Sequence, residues 1–263
     1  MNQKKLIYAS IAFFIIALLT DCSSDKDGKV RDFEQLSGKK IVVQEGTTFD
    51  EIFKEKYPSY NVTRVPTFFD IYKKLVSGEA DYGIDEDVTA TVVLAGGLSI
   101  DTTYANTPAV PMGAIFNKSN TELKKKFNEF ITELDNSGKL NEIRQKWFST
   151  TMPSSLPVPE AQTKSGTPLT IVMEGDYPPF NLMVGDKISG FEVELATLFA
   201  DQIKRPIKFE KMNFADIIPY IEKGKADMSL SGFSITEERA KIIDFSKPYN
   251  NTYTLVVSLR KGK

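Results

Sequence analysis

The apolar residues of this chain fall into two sets of elements with the same internal order. Phe68, Ile71 and Leu75 recur at i, i+3 and i+7, Gly78 follows, and Ala80-Asp81 leads into an extended run. Phe214, Ile217, Ile221, Gly224, Ala226 and Asp227 repeat that pattern without a gap. Each reads as one buried helix face, closed by glycine and followed by a strand. A shorter echo sets Val42-Val-Gln-Glu-Gly46 against Ile171-Val-Met-Glu-Gly175. Two similarly built α/β lobes are therefore expected.

Other segments fit around that repeat. Lys40 to Gln44 and Leu169 to Met173 read as strands, with Phe49, Ile52 and Phe53 starting a helix face after the first. Val110 to Phe116 reads as a strand that crosses back between lobes. Leu123, Phe127, Phe130, Ile131 and Leu134 mark one amphipathic helix, and Leu140, Ile143, Trp147 and Phe148 a second. A further helix starts at Gly190, with Phe191, Leu195, Leu198, Phe199 and Ile203 on one face. Residues 149–166 are rich in Ser, Thr and Pro without apolar period, and read as a linker.

Candidate chemistry concentrates after the strand through Met228 and Leu230. Gly232 removes the side chain that would keep a ligand off the backbone. Ser234 brings a hydroxyl, and Thr236-Glu-Glu opens a short helix carrying Arg239, whose planar fork matches a carboxylate bidentately. An amide, a hydroxyl and a guanidinium thus converge on one anion. The competing reading makes Arg239 a surface cation paired with Glu237 or Glu238, and Ser234 a helix cap. Gly46-Thr47-Thr48 likewise places amides and hydroxyls at a helix N-terminus, either as an anion site or as an ordinary cap.

Composition mainly excludes. Lys plus Arg number 33 against 35 for Asp plus Glu, so no global field favours nucleic acid. The absence of histidine removes the commonest general base and metal ligand, and no glycine-rich phosphate loop occurs. Neither cofactor nor metal is expected.

Tyr177-Pro-Pro-Phe180, Gly190-Phe-Glu-Val-Glu-Leu-Ala196, Ser234-Ile-Thr-Glu-Glu-Arg239 and Asp244-Phe-Ser-Lys-Pro-Tyr249 together resemble the bacterial extracellular solute-binding proteins of family 3, the amino-acid receptors of ABC transporters. The resemblance implies a two-lobed α/β fold of the periplasmic-binding-protein type II (Venus flytrap) kind that closes on its ligand. Arg239 would hold the ligand carboxylate with the Ser234 hydroxyl and amide, while Gly232 and Ser234 help take the ammonium. Tyr177 and Phe214 fall where the family stacks rings, and Ser231, Thr47 and Thr48 belong to the same ligand-binding set. Glu86 takes the position of the ammonium-binding acid, where aspartate is usual. Glu174 takes that of an acid reading the ligand side chain, and Gln44 a position that is basic in some relatives. Several acids facing one arginine suit a zwitterion with a polar or cationic side chain, such as lysine, arginine or glutamine.

A second block of resemblance, Leu36 to Thr48, Gly78 to Glu86 and Gly138 to Phe148, looks like the family's second lobe and closing helix, yet it precedes the first-lobe motifs. Joining Tyr253–Lys263 to Val30–Lys40 restores the family's hinge segment, as a circular permutant would require. The rival reading is a fragment of a tandem array. In the permuted reading the second lobe spans residues 37–112 and the first 113–263, with 149–166 as the permutation linker. One of the two hinge connections would then be covalent, the other made by Leu255 to Val257 meeting the mature N-terminus.

Lys4 and Lys5 precede the apolar run Leu6 to Leu19, which suits a signal peptide over residues 1–21. Leu19-Thr-Asp-Cys22 looks like a lipobox with Cys22 as the lipidated residue, although Asp21 departs from the small residue expected there. An uncleaved anchor with an incidental cysteine is the alternative. Residues 22–36 would be a leash holding the protein at the membrane in the periplasm, or at the outer-membrane surface. Three functions stay open: capture of a free amino acid for an ABC permease, a cyclohexadienyl-dehydratase-like enzyme using Glu174 or Glu86 as acid, and a sensing module for a separate partner.

Overall fold

The structure is a computed structural model and describes residues 29–148 and 157–260. The expected signal peptide, Cys22, the leash as far as residue 28 and the first half of the linker lie outside the described residues. In chain order the elements begin with β1 (Lys40–Gln44), α1 (Thr48–Glu55), β2 (Asn61–Val65), α2 (Phe68–Val76), β3 (Tyr82–Glu86), α3 (Asp87–Ala95) and β4 (Ile100–Tyr104). The chain then forms β5 (Val110–Met112), β6 (Ile115–Phe116), α4 (Thr121–Asn136) and α5 (Lys139–Trp147). It continues through β7 (Leu169–Met173), β8 (Asp176–Tyr177), β9 (Asn181–Val184), β10 (Lys187–Ser189), α6 (Phe191–Gln202) and β11 (Ile207–Lys211). Last come α7 (Phe214–Glu222), β12 (Met228–Ser229), α8 (Glu237–Ala240), β13 (Asp244–Phe245), β14 (Asn250–Thr252) and β15 (Thr254–Leu259).

Two five-stranded sheets form the lobes, in the orders β2-β1-β3-β15-β4 and β11-β7-β12-β6-β13. The orders correspond strand for strand. In each, three parallel strands come from consecutive β-α units, and the fourth is antiparallel and enters from the chain that has just crossed between lobes. The sequence repeat has a direct structural counterpart here. Gly78 and Gly224, at φ +73° and +65°, end α2 and α7 with amides bonded to Leu75 and Ile221. Asp81 and Asp227 then accept from the amides of Lys40 and Thr170 at 2.9 and 2.8 Å, pinning the first strand of each sheet. Helices α4 and α5 cover the first lobe, where Phe127 meets Phe199 edge-on at 4.9 Å.

Three expectations change. The stretch from Val110 to Phe116 is not one strand: it breaks at Gly113-Ala114, because β5 pairs with β14 while β6 joins the first-lobe sheet. The last strand, expected in a first lobe running to residue 263, pairs with β3 and β4 in the other sheet. Both passages between lobes are consequently covalent, as β5 and β14 run antiparallel with Met112 opposite Asn250 and Val110 opposite Thr252. The hinge does not depend on a non-covalent junction. The described ends both sit on the second lobe, where the Asn106 amide bonds Arg31 and the Arg260 amide bonds Ser99.

Candidate functional site

Between the lobes, at the ends of β1, β3, β7 and β12, lies a cleft lined by all eleven residues singled out in the sequence: Gln44, Thr47, Thr48, Glu86, Glu174, Tyr177, Phe214, Ser231, Gly232, Ser234 and Arg239. Contacts from the two sides meet there. Arg239 Nη2 donates to the Gly46 carbonyl at 2.9 Å and to Glu51 Oε1 at 3.2 Å, both on the opposite lobe. Gln44 Nε2 donates to Glu174 Oε1 at 2.5 Å. Gly46, at φ +76°, comes so near α7 that a Cβ would stand 2.9 Å from the Ala215 Cα. Close approach of backbones requires glycine at that point.

Arg239 is no surface cation. Its helix is a single turn whose cap is Thr236, not Ser234: the Thr236 hydroxyl accepts from the Arg239 amide at 3.2 Å. That turn directs the side chain inward over Phe214, where it is 4% exposed. Phe214 in turn stacks on Phe233 at 4.8 Å. Thr47 does cap α1, accepting from the Asp50 amide while donating to the Gln44 carbonyl at 2.7 Å, so its hydroxyl already serves its own helix. Tyr177 is fixed by stacking on Phe180 at 5.0 Å and by the edge of Phe68 at 6.0 Å. Gly232, at φ +63°, lies under that ring. A Cβ there would fall 2.5 Å from Tyr177 Cε1, so Gly232→Ala combines a left-handed backbone with overpacking. The expected result is a loss of roughly 2–4 kcal/mol, seen as a midpoint lower by about 4–15 °C in a thermal melt.

The cleft holds more acids than bases. Glu86 is buried, and its Oε2 has no hydrogen-bond partner among the described residues. Burial, then repulsion from Asp85, Asp87 and Glu192, pushes its carboxyl well above the usual range, with Arg239 opposing. Asp85 behind it is raised to about 6 by burial, against hydrogen bonds from Thr89 and Tyr72. Burial raises Glu174 to about 8, although Gln44 and the Phe68 amide bond it. The folded chain therefore keeps the Glu174 proton from pH 4.5 to about 8, while the unfolded chain releases it. Over that window the folded state binds more protons, so stability falls as pH rises, by on the order of 5 kcal/mol from this group. Urea melts at several pH values are expected to show that decline, and Glu174→Gln to flatten it.

Three acids at or behind the cleft lie outside the set of residues singled out in the sequence. Glu51 is the counter-ion of Arg239 from across the cleft, Asp85 backs Glu86, and Glu192 lies wholly buried on α6. Glu192 does have a sequence signal. It shares a helix face with Leu195, Ala196 and Phe199, and a carboxylate at a core position needs buried donors. Among the described residues no group of His, Cys, Asp and Glu is arranged to hold a metal ion, and no helix is long and apolar enough to cross a membrane.

Comparison with known proteins agrees with this architecture. The model of the bacterial extracellular solute-binding proteins, family 3, matches residues 26–150 and 169–263. The L-arginine-binding protein of Pseudomonas aeruginosa is 35% identical over 86 residues, 32% of this chain and 33% of that protein. Arginine-binding extracellular protein ArtP of Bacillus subtilis is 39% identical over 83 residues, 32% of each. The probable histidine-binding protein of Campylobacter jejuni is 33% identical over 104 residues, 39% of this chain and 41% of that protein. The chain thus spans a third to two-fifths of the length of these curated relatives. Among solved structures, an ancestral arginine-binding protein bound to arginine is 37% identical over 32% of this chain and 38% of its own, with a TM-score of 0.31. With the family model matched over most of its length and two α/β lobes enclosing the cleft, the chain belongs to the bacterial extracellular solute-binding proteins, family 3.

Proposed function

We propose that this protein is a lipid-anchored extracytoplasmic receptor that captures a polar or cationic L-amino acid by lobe closure and delivers it to an ABC importer, without making or breaking a bond. The observation that carries the reading is that one cleft holds the buried Arg239 guanidinium on one lobe and, on the other, the buried Glu86 carboxyl, one oxygen of which has no partner among the described residues. An α-carboxylate replacing Glu51 on Arg239, and an α-ammonium that stabilises the ionised form of Glu86, would complete the pair. Gly232, Ser231 and Ser234 supply the polar edge beside them, Tyr177 and Phe214 the apolar walls. Glu174 and Asp85 add buried carboxyls, which a cationic side chain would pair with by drawing off their protons. Relatives named for arginine and histidine support that choice.

Circular permutation is part of the proposal. A second lobe built from residues 37–112 and completed by β15 precedes the first lobe at 113–253, with 149–166 replacing the family's termini. Two covalent crossing strands leave hinge closure available in this order. The anchor at Cys22 would place the protein in the periplasm or on the outer-membrane surface, tethered through its second lobe.

The test is a thermal-shift screen of the chain from Ser23 onward against L-amino acids and prephenate. A ligand at a hundred times its dissociation constant adds about 2.7 kcal/mol. A shift with a cationic amino acid supports the reading. Turnover of prephenate would replace it with the dehydratase reading, for which the raised Glu174 carboxyl is the available acid.

A further inference from the structure

The network behind the cleft points to a role for Glu192 that the ligand-facing residues do not explain. Its carboxylate is fully buried and accepts three hydrogen bonds. Oε1 takes the Gly232 amide at 2.7 Å and the Tyr249 hydroxyl, and Oε2 takes Asn181 Nδ2 at 2.7 Å. The three donors belong to different parts of the molecule. Gly232 lines the cleft in the loop that follows β12. Asn181 also accepts from the Gly175 amide at 2.7 Å, holding the loop that follows Glu174. Tyr249 stands at the entry to the crossing strand β14, its amide bonded to the Met112 carbonyl of β5 and its carbonyl held by both Arg144 Nε and Nη2, at 3.1 and 2.6 Å.

We infer that Glu192 is a positioning residue that couples the hinge to the ligand-facing edge of the first lobe, through one oxygen shared by the Tyr249 hydroxyl and the Gly232 amide. Lobe closure turns the chain where β5 and β14 cross. A buried carboxylate joined to that crossing and to Gly232 lets a change at one be felt at the other, because Glu192, Asn181 and Tyr249 are fully buried and share one hydrogen-bond network. A purely structural buried acid would need donors, but not donors drawn from both the hinge and the site. This coupling rests on the amino-acid-receptor reading for its effect on affinity, and not for its existence.

Tyr249→Phe tests it, since it removes one hydroxyl and keeps the ring in the core; Glu192→Gln is the stronger companion. Amide hydrogen exchange of the chain from Ser23 onward without ligand is expected to show Gly232 exchanging about tenfold faster in Tyr249→Phe, together with Val110, Met112 and residues 250–252. With the amino acid found by the screen, dissociation is expected to quicken about five- to tenfold while association stays near wild type. Faster exchange confined to residues 249–252, with Gly232 unchanged, would overturn the coupling. So would wild-type dissociation of bound ligand. If the unaltered protein binds no amino acid, the receptor reading fails, and the exchange experiment still decides whether the hinge and Gly232 are joined.

Discussion

Arg239→Ala is expected to abolish ligand-induced stabilisation at any practical concentration while leaving a folded protein. Truncating one partner of a buried charge pair costs roughly 2–5 kcal/mol, about 30- to several-thousand-fold in dissociation constant. The upper part of that range applies here, because Arg239 is almost fully buried and the same guanidinium also bonds Gly46 and Glu51 of the other lobe. On the proposed reading, loss of the side chain removes the carboxylate clamp together with the contacts to Gly46 and Glu51 across the cleft. It also removes the cation that opposes the rise in the Glu86 carboxyl, leaving that acid more firmly protonated and a poorer partner for an ammonium. Calorimetric titration checks the affinity, and far-UV circular dichroism checks that the fold persists. Arg239→Lys is expected to recover little, since a point charge on a flexible stem cannot reproduce the planar fork. Wild-type affinity in Arg239→Ala would place the ligand carboxylate elsewhere.

Ending the chain at Tyr253 is expected to unfold the second lobe and spare the first. Strand β15 lies inside the second sheet, bonded to β3 on one side and β4 on the other. Leu255, Val256 and Val257 are buried there, and losing three such side chains removes roughly 5–9 kcal/mol of apolar burial. A domain's whole stability is of that size. The first-lobe sheet draws on none of these residues, since its fourth strand is β6. Limited proteolysis is expected to leave a resistant fragment spanning β5 to β14, with cleavage through residues 40–104. A single intact melt with retained binding would contradict the strand order described.

Individual residues show why part of this molecule was legible beforehand. β1 and β7 begin and end where expected, because a run such as Ile41-Val-Val43 between Lys40 and Gln44 leaves little freedom about where a buried strand starts and stops. The helices α2 and α7 were equally clear, their apolar spacing closing on a glycine that only the left-handed region suits. The eleven cleft residues were found through motifs, not periodicity. Glu192 is marked locally by its place on the apolar face of α6, whereas Asp85 and Glu51 are distinguished only by partners on other elements, Glu51 and Arg239 standing 188 positions apart. The split at Gly113-Ala114 was invisible for the same reason. A strand pairing with two different sheets looks, locally, like one strand.

By itself the sequence determined the two-lobed α/β plan, the helix faces and the set of side chains available for a charged small ligand, because these depend on short-range spacing and on side-chain chemistry. Tertiary structure alone decided which lobe receives the last strand, that both hinge connections are covalent, that Arg239 is buried against Glu51, and that one Glu86 oxygen has no partner among the described residues. Each of those depends on what a residue meets after the chain has crossed between lobes. Pairing at that range is selected by the burial and hydrogen bonding of the whole assembly, and it leaves no local signature in the residues that take part.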